Sequence, residues 1–189
     1  MNEEPSTADG KSCGRCTFCC KILGVDALQK PRGTWCPHCV QNRGCSVYET
    51  RPEECRRFVC DYLRLPEFGP DWKPDKARFL MMTDAAHGMI YVELDPQQPD
   101  AWRKEPYLSG LKATARDMVR TGRLIVIRNG QRTIVLLPDE EVDLGIVGPD
   151  EAIWTEKRGT APFVQYRVSK VKKNDRRVVR EASPRTLQR

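Results

Sequence analysis

The chain predicts an α+β protein: a small cysteine-rich module followed by an antiparallel sheet with one main helix. Three observations carry that expectation. All nine cysteines of the 189 residues lie between Cys13 and Cys60. Beyond residue 78, strand-like runs flank Asn129-Gly130, a dipeptide suited to a tight hairpin because both residues tolerate positive φ. Between the strand pairs, Leu108, Leu111, Ala115, Met118 and Val119 recur at helical spacing.

In chain order, residues 1–11 are polar and are expected to form a disordered tail. The cysteine module covers 12–65. A stretch rich in Pro and Gly, 66–77, reads as a linker or covering loop. An α+β region spans 78–170, and a basic tail spans 171–189. Within the module, Thr50-Arg51-Pro52-Glu53 fits a capping box opening a helix. If that helix continued, Cys60 would lie about 140° round the cylinder from Cys55 and would not share an ion with it. In the α+β region, strands are expected at Arg78 to Thr83 and Met89 to Leu94, with Ala86-His87-Gly88 turning between them. Leu124 to Ile127 and Thr133 to Leu137 form the Asn-Gly hairpin. Pro106 opens the helix between these pairs and Gly122 closes it. Further strands are expected at Ala152 to Thr155 and Phe163 to Val168, and Asp139-Glu140-Glu141 reads as a solvated loop.

The chemistry is concentrated in the module. Thiols at this density form disulfides, act as nucleophiles or bind a soft metal. The first residues carry neither a basic n-region nor an apolar h-region, and no run approaches the eighteen or so apolar residues of a membrane span. A cytoplasmic chain with reduced thiols and no membrane partner is therefore expected. The odd cysteine count also argues against a closed set of disulfides.

Cys13-x2-Cys16 and Cys36-x2-Cys39 give C-x2-C-x19-C-x2-C. Two intervening residues let both sulfurs reach an ion at about 2.3 Å, and the full spacing lies in the zinc range. Cys13, Cys16 and Cys19 also resemble the opening of a ferredoxin run, although Cys20 follows at once and the expected Cys-Pro ending is missing. Zinc, iron and an iron–sulfur cluster all remain open as cofactors. Adjacent Cys19 and Cys20 project differently, so two sites or one polynuclear cluster are expected. A structural zinc contributes about 10 to 16 kcal/mol to the folding of a small module, which makes this one a metal-stabilised unit in expectation. His38, inside Cys36-Pro37-His38-Cys39, is a further candidate ligand. Arg51 and Tyr48 are candidates to support the ligands from behind.

Cys13-Gly14-Arg15-Cys16-Thr17-Phe18-Cys19-Cys20, then Cys36-Pro37, Gly44-Cys45-Ser46-Val47-Tyr48, Arg51-Pro52, Cys55-Arg56 and Phe58-Val59-Cys60, together resemble the CxxCxxCC cysteine-cluster family, the YkgJ-like zinc- or iron-chelating domain related to flagellin N-methylases. The resemblance spans about fifty residues and none of the α+β region. It implies metal ligation by Cys13, Cys16, Cys19, Cys20, Cys36, Cys45, Cys55 and Cys60, and leaves Cys39 supernumerary.

The expected function is cytosolic metal chelation through a thiolate cluster. Two alternatives stand beside it. One is a redox or methylation-related, protein-modifying enzyme that uses the cluster and recruits a protein substrate. The other is a nucleic-acid-binding zinc module. Of the formal net charge of +6, the segment from Val171 to Arg189 carries +5, which would attract an acidic polymer in a salt-sensitive way. That tail lacks aromatic residues for base stacking, so nucleic acid is not the favoured partner. No Gly-rich phosphate loop and no Ser-His-Asp set is apparent, and no catalytic residue is assigned.

Overall fold

The computed structural model describes residues 7–8, 10–159 and 165–176. The fold is α+β, with several short helices, one long helix and a five-stranded sheet. Most of the basic tail, most of the first eleven residues and Phe163 lie outside the described residues.

The sheet is built from β3 (Phe79–Asp84), β4 (Met89–Leu94), β5 (Leu124–Asn129), β6 (Arg132–Leu136) and β7 (Glu141–Ile146), in that spatial order. It is mixed and not purely antiparallel as expected, because β4 and β5 run parallel, with Met89 opposite Leu124 and Val92 opposite Ile127. A parallel pair needs a crossover, and the long helix α5 (Tyr107–Val119) supplies it. The helix follows Pro106 and buries Leu111, Ala115, Met118 and Val119, with Leu108 packed on the core.

Period-2 alternation decides which strand residues face which layer. Ile125 and Ile127 join Phe79, Met81, Val92, Leu136 and the α5 stripe on one face. Leu124 and Val126 join Val135, Leu137 and Val168 on the other. A strand covered on both sides reads as an unbroken apolar run, which is what Leu124 to Ile127 shows.

The β5–β6 hairpin forms where Asn129-Gly130 predicts it, but its turn is displaced by one residue. Asn129 pairs with Arg132, so the two-residue loop is Gly130-Gln131 with φ of 60° at Gly130. Positive φ at the first loop residue alone is the type II′ signature, not type I′. Likewise Glu141 is not loop: it opens β7, whose Val142 and Leu144 pack on the second face. The last expected strands appear as β8 (Glu151–Arg158) and β9 (Gln165–Lys172), a separate antiparallel hairpin laid over that face.

The 66–77 stretch carries α4 (Pro74–Ala77) and a 3-10 turn at Pro70–Trp72. Trp72 packs edge-on to Phe79 and Tyr107, with ring centroids 6.0 and 5.3 Å away. Gly110 of α5 makes room for it, since a Cβ there would lie 2.9 Å from the indole. Trp102 is 1% exposed and closes the same core.

Candidate metal centre

The cysteine module folds from short pieces: α1 (Phe18–Ile22), a two-residue ladder of β1 (Cys39–Val40) and β2 (Gly44–Cys45), α2 (Glu53–Arg57) and α3 (Asp61–Arg64). Phe18 and Ile22, one turn apart, are the buried residues of α1 and pack on Leu80 of β3, with Cys16 and Cys19 against the same cluster. That contact seats the module on the sheet face opposite α5, since Phe79 and Met81 point the other way.

The expected capping box does not form. Pro52 occupies the N-cap of α2 without a side-chain cap, while Thr50 ends a preceding 3-10 turn and Arg51 is extended. The helix stops at Arg57, and Cys60 caps the separate helix α3. The argument from a continuous helix therefore does not apply to Cys55 and Cys60. Their surroundings do differ: Cys60 lies within electrostatic reach of Cys13 and Cys16, whereas Cys55 lies within electrostatic reach of Cys20, Cys36 and Cys45.

Buried ionic groups anchor the module. Lys21 of α1 donates to both carboxylate oxygens of Asp95, at 2.8 and 2.9 Å. Arg32 pairs with Glu93 at 2.5 Å, and Glu93, 3% exposed, also meets Arg128. Asp61 of α3, 1% exposed, accepts from the backbone N–H and the hydroxyl of Thr83 and from Arg64.

All nine cysteines are free thiols. Cys19 and Cys20 touch one another through a thiol–sulfur hydrogen bond, and their remaining neighbours differ. On one side Cys13, Cys16 and Cys60 interact, with Cys19 alongside. On the other, Cys20 meets Cys39, whose ladder partner is Cys45, and the Cys36 N–H donates to the Cys20 carbonyl at 3.0 Å. The two neighbourhoods adjoin, because Cys13 also senses Cys20. Among the described residues, no group of three or more His, Cys, Asp or Glu side chains is arranged as it would be around a metal ion.

The thiols are electrostatically unequal. The Cys19 thiol donates to the Cys20 sulfur, and with help from Cys39 and Lys30 this outweighs burial and draws Cys20 down to about 6. Cys19 is pushed well up by the same hydrogen bond and by burial. Burial raises Cys39 to about 11, reinforced by Cys20 and opposed by the Thr17 hydroxyl, which donates to its sulfur. Burial raises Cys60 to about 11, opposed by the Leu63 N–H. Cys13, Cys16 and Cys55 are raised chiefly by burial.

The donor set suits a soft metal in its chemistry. Backbone N–H groups of Phe18 and Asp75 point at the Cys16 sulfur, and hydrogen bonds of this kind favour the thiolate. Asp75 Oδ1 is buried near Cys16 without a hydrogen-bond partner. His38 is half-buried and uses its backbone carbonyl to receive Ser46 N and Oγ. Arg51 lies 3.7 Å over the Tyr48 ring and bonds the Tyr48 carbonyl, while its charge reaches Cys13.

Four residues escape the sequence reading. Lys30 is only 5% exposed, held by the Val25–Lys30 backbone pair, and its ammonium donates to the carbonyls of Leu23 and Pro31 amid Cys36, Cys20, Cys19 and Cys55. Burial lowers its pKa and the thiols oppose that. Lys73 and Asp75 approach Cys13 and Cys16, and Lys21 lies near Trp35. A lysine in a run such as Gln29-Lys30-Pro31 carries no sequence signal for burial.

Away from the thiols, toward β7, an open cleft of about 1020 Å³ is lined by Arg116, Arg120, Lys157, Asp139, Glu140 and Tyr166 among others. Among the described residues no helix is long and apolar enough to cross a membrane. The chain matches no protein-family model, no curated protein and no solved structure.

Proposed function

We propose that this chain is a metal-chelating protein of the cytosol that binds zinc or an iron–sulfur cluster through cysteine thiolates. The observation that carries the reading is the gathering of nine free thiols, from segments up to forty-seven positions apart in sequence, into two adjoining neighbourhoods around α1. In this reading Cys13, Cys16, Cys19 and Cys60 serve one neighbourhood, and Cys20, Cys36, Cys45 and Cys55 the other. Cys39 and His38 stand beside the second. The resemblance to the CxxCxxCC cluster proteins supports the same eight residues.

The physical case is one of charge and solvation. Burial raises most of these thiols, and a buried thiolate without a cation is costly. A bound metal cation removes that cost by holding the thiolate form directly. In its charged form, which the neighbouring thiolates favour, Lys30 offsets part of the excess negative charge of a four-thiolate centre.

Elemental analysis and a visible absorption spectrum of anaerobically purified protein test the proposal. Stoichiometric zinc in a colourless protein, or iron with sulfide in a brown one, is the expected result. Protein free of both metals that keeps its fold through exhaustive chelation refutes it.

A further inference from the structure

We infer that Cys39 and Cys45 form a reversible disulfide when the protein meets a hydroperoxide, making this pair an oxidative modification site. The inference goes beyond metal binding and rests on strand register.

β1 and β2 pair antiparallel with Cys39 directly opposite Cys45 and Val40 opposite Gly44. Ser46 N donates to the His38 carbonyl at 2.9 Å, one pair further along the same ladder. Hydrogen-bonded and non-hydrogen-bonded pairs alternate in an antiparallel ladder, so Cys39 and Cys45 are a non-hydrogen-bonded pair. In such pairs the Cα atoms sit about 4.5 Å apart with side chains on one face. A disulfide accepts Cα separations of about 4.4 to 6.8 Å, so the strands are already within bridging range, at its short end.

The turn holds that register. Arg43 N donates to the Val40 carbonyl at 2.9 Å, and Asn42 and Gly44 adopt φ of 58° and 123°. Both thiols are free and half-buried, so neither is sealed from a small oxidant. Cys39 also touches Cys20, but that contact joins side chains from a helix and a strand, with no backbone ladder setting their separation.

The chemistry balances with a hydroperoxide as oxidant. One sulfur attacks the peroxide oxygen, the O–O bond breaks, and a sulfenic acid forms with release of water or alcohol. The second thiol then attacks that sulfur, the S–O bond breaks and water leaves. Two thiols lose two electrons and two protons, and the peroxide gains them. A cellular dithiol reverses the step by exchange. Where Cys45 ligates metal, oxidation withdraws it from the ligand set; this coupling alone rests on the metal reading.

The test treats the as-purified full chain with hydrogen peroxide, blocks remaining thiols with N-ethylmaleimide and digests with trypsin. Cleavage after Arg43 puts Cys39 and Cys45 in separate peptides. Tandem mass spectrometry should find them linked, separable by dithiothreitol, and should find Cys45 alkylated in Cys39→Ser. Recovery of both as alkylated thiols after peroxide overturns the inference, as does a predominant link from Cys39 to Cys20. A urea-treated sample must give scrambled links; the same specific link there would assign it to chain proximity and overturn the structural argument. Zinc and iron released are measured on the same sample. A chain that carries no metal still yields the linkage map, so failure of the metal reading and failure of this one are told apart.

Discussion

Gly110 illustrates how one hydrogen in place of a methyl shapes the core. Its missing Cβ lets the Trp72 ring lie against α5, and a Cβ would meet two indole carbons at 2.9 and 3.1 Å. Ala improves helix propensity by about 1 kcal/mol, whereas overpacking a filled site costs about 1 to 3 kcal/mol. Trp72 is braced by Phe68, Phe79 and Tyr107 and has little room to yield. Gly110→Ala is therefore expected to destabilise the protein by about 1 kcal/mol, measured as a lower urea midpoint. An unchanged or higher midpoint would show that Trp72 shifts freely.

Lys30 makes the corresponding point for the thiols. Lys30→Met keeps the aliphatic length but removes the ammonium that donates to Leu23 and Pro31 and faces four cysteines. Groups that orient or neutralise metal ligands from behind are worth about 10- to 100-fold in affinity. A loss of that size should appear in competition against a chromogenic chelator, and equal competition by wild type and variant would remove Lys30 from the centre. Spacing alone draws attention to Cys13, Cys16, Cys19, Cys36 and Cys39, whereas Cys20, Cys45, Cys55 and Cys60 enter as candidate ligands through the family resemblance. Lys30, Lys73 and Asp75 are not legible, because they belong to residue types that usually face water and only the folded chain turns them inward.

At the scale of elements, the module is joined to the sheet by α1 on Leu80, by the largely buried Lys21–Asp95 pair and by exposed Arg32 on buried Glu93. Removing one partner of a buried pair leaves an uncompensated charge, at a cost of about 3 to 5 kcal/mol. Lys21→Ala and Asp95→Ala should each show a loss of that order, and the double variant should lose far less than their sum. Strict additivity in urea denaturation would mean the pair does not couple the two parts. Elements were legible where one periodicity dominated: the stripe from Leu108 to Val119, and the apolar run from Leu124 to Ile127. β7 carried the same signal, with Val142, Leu144 and Ile146 alternating against Glu141, Asp143 and Gly145, but the acidic approach to it reads as solvent. The parallel pairing of β4 with β5 follows only once α5 is seen as a crossover, and a helix stripe does not say which two strands it joins. The capping box failed because Pro52 took the cap position itself.

For the whole molecule, α5 and the cysteine module cover the sheet in different ways. The α5 face and the inner sides of β5 and β6 form a continuous apolar core, whereas the cysteine module rests on a small apolar contact and polar anchors. Local stability follows such differences. Chelation of a metal-loaded sample should therefore loosen the module first. In hydrogen exchange, the Leu23 amide, which caps α1 by donating to the Cys19 carbonyl, should lose protection while the Ile125 and Ile127 amides of β5 keep theirs. Simultaneous loss at both sites would make the protein a single cooperative unit that the metal holds together throughout.

The order of docking partners along the chain has a consequence during synthesis. Cys13 to Cys60 leave the ribosome before Leu80, Glu93 and Asp95, the residues on which the module is seated. At about 5 to 20 residues per second, the nascent thiols spend seconds without their buttress. If the thiols bind metal or oxidise as proposed, an ion or oxidant that reaches them in that interval competes ahead of the finished fold, and the redox state and metal supply around the translating ribosome would help decide which form of the molecule is made.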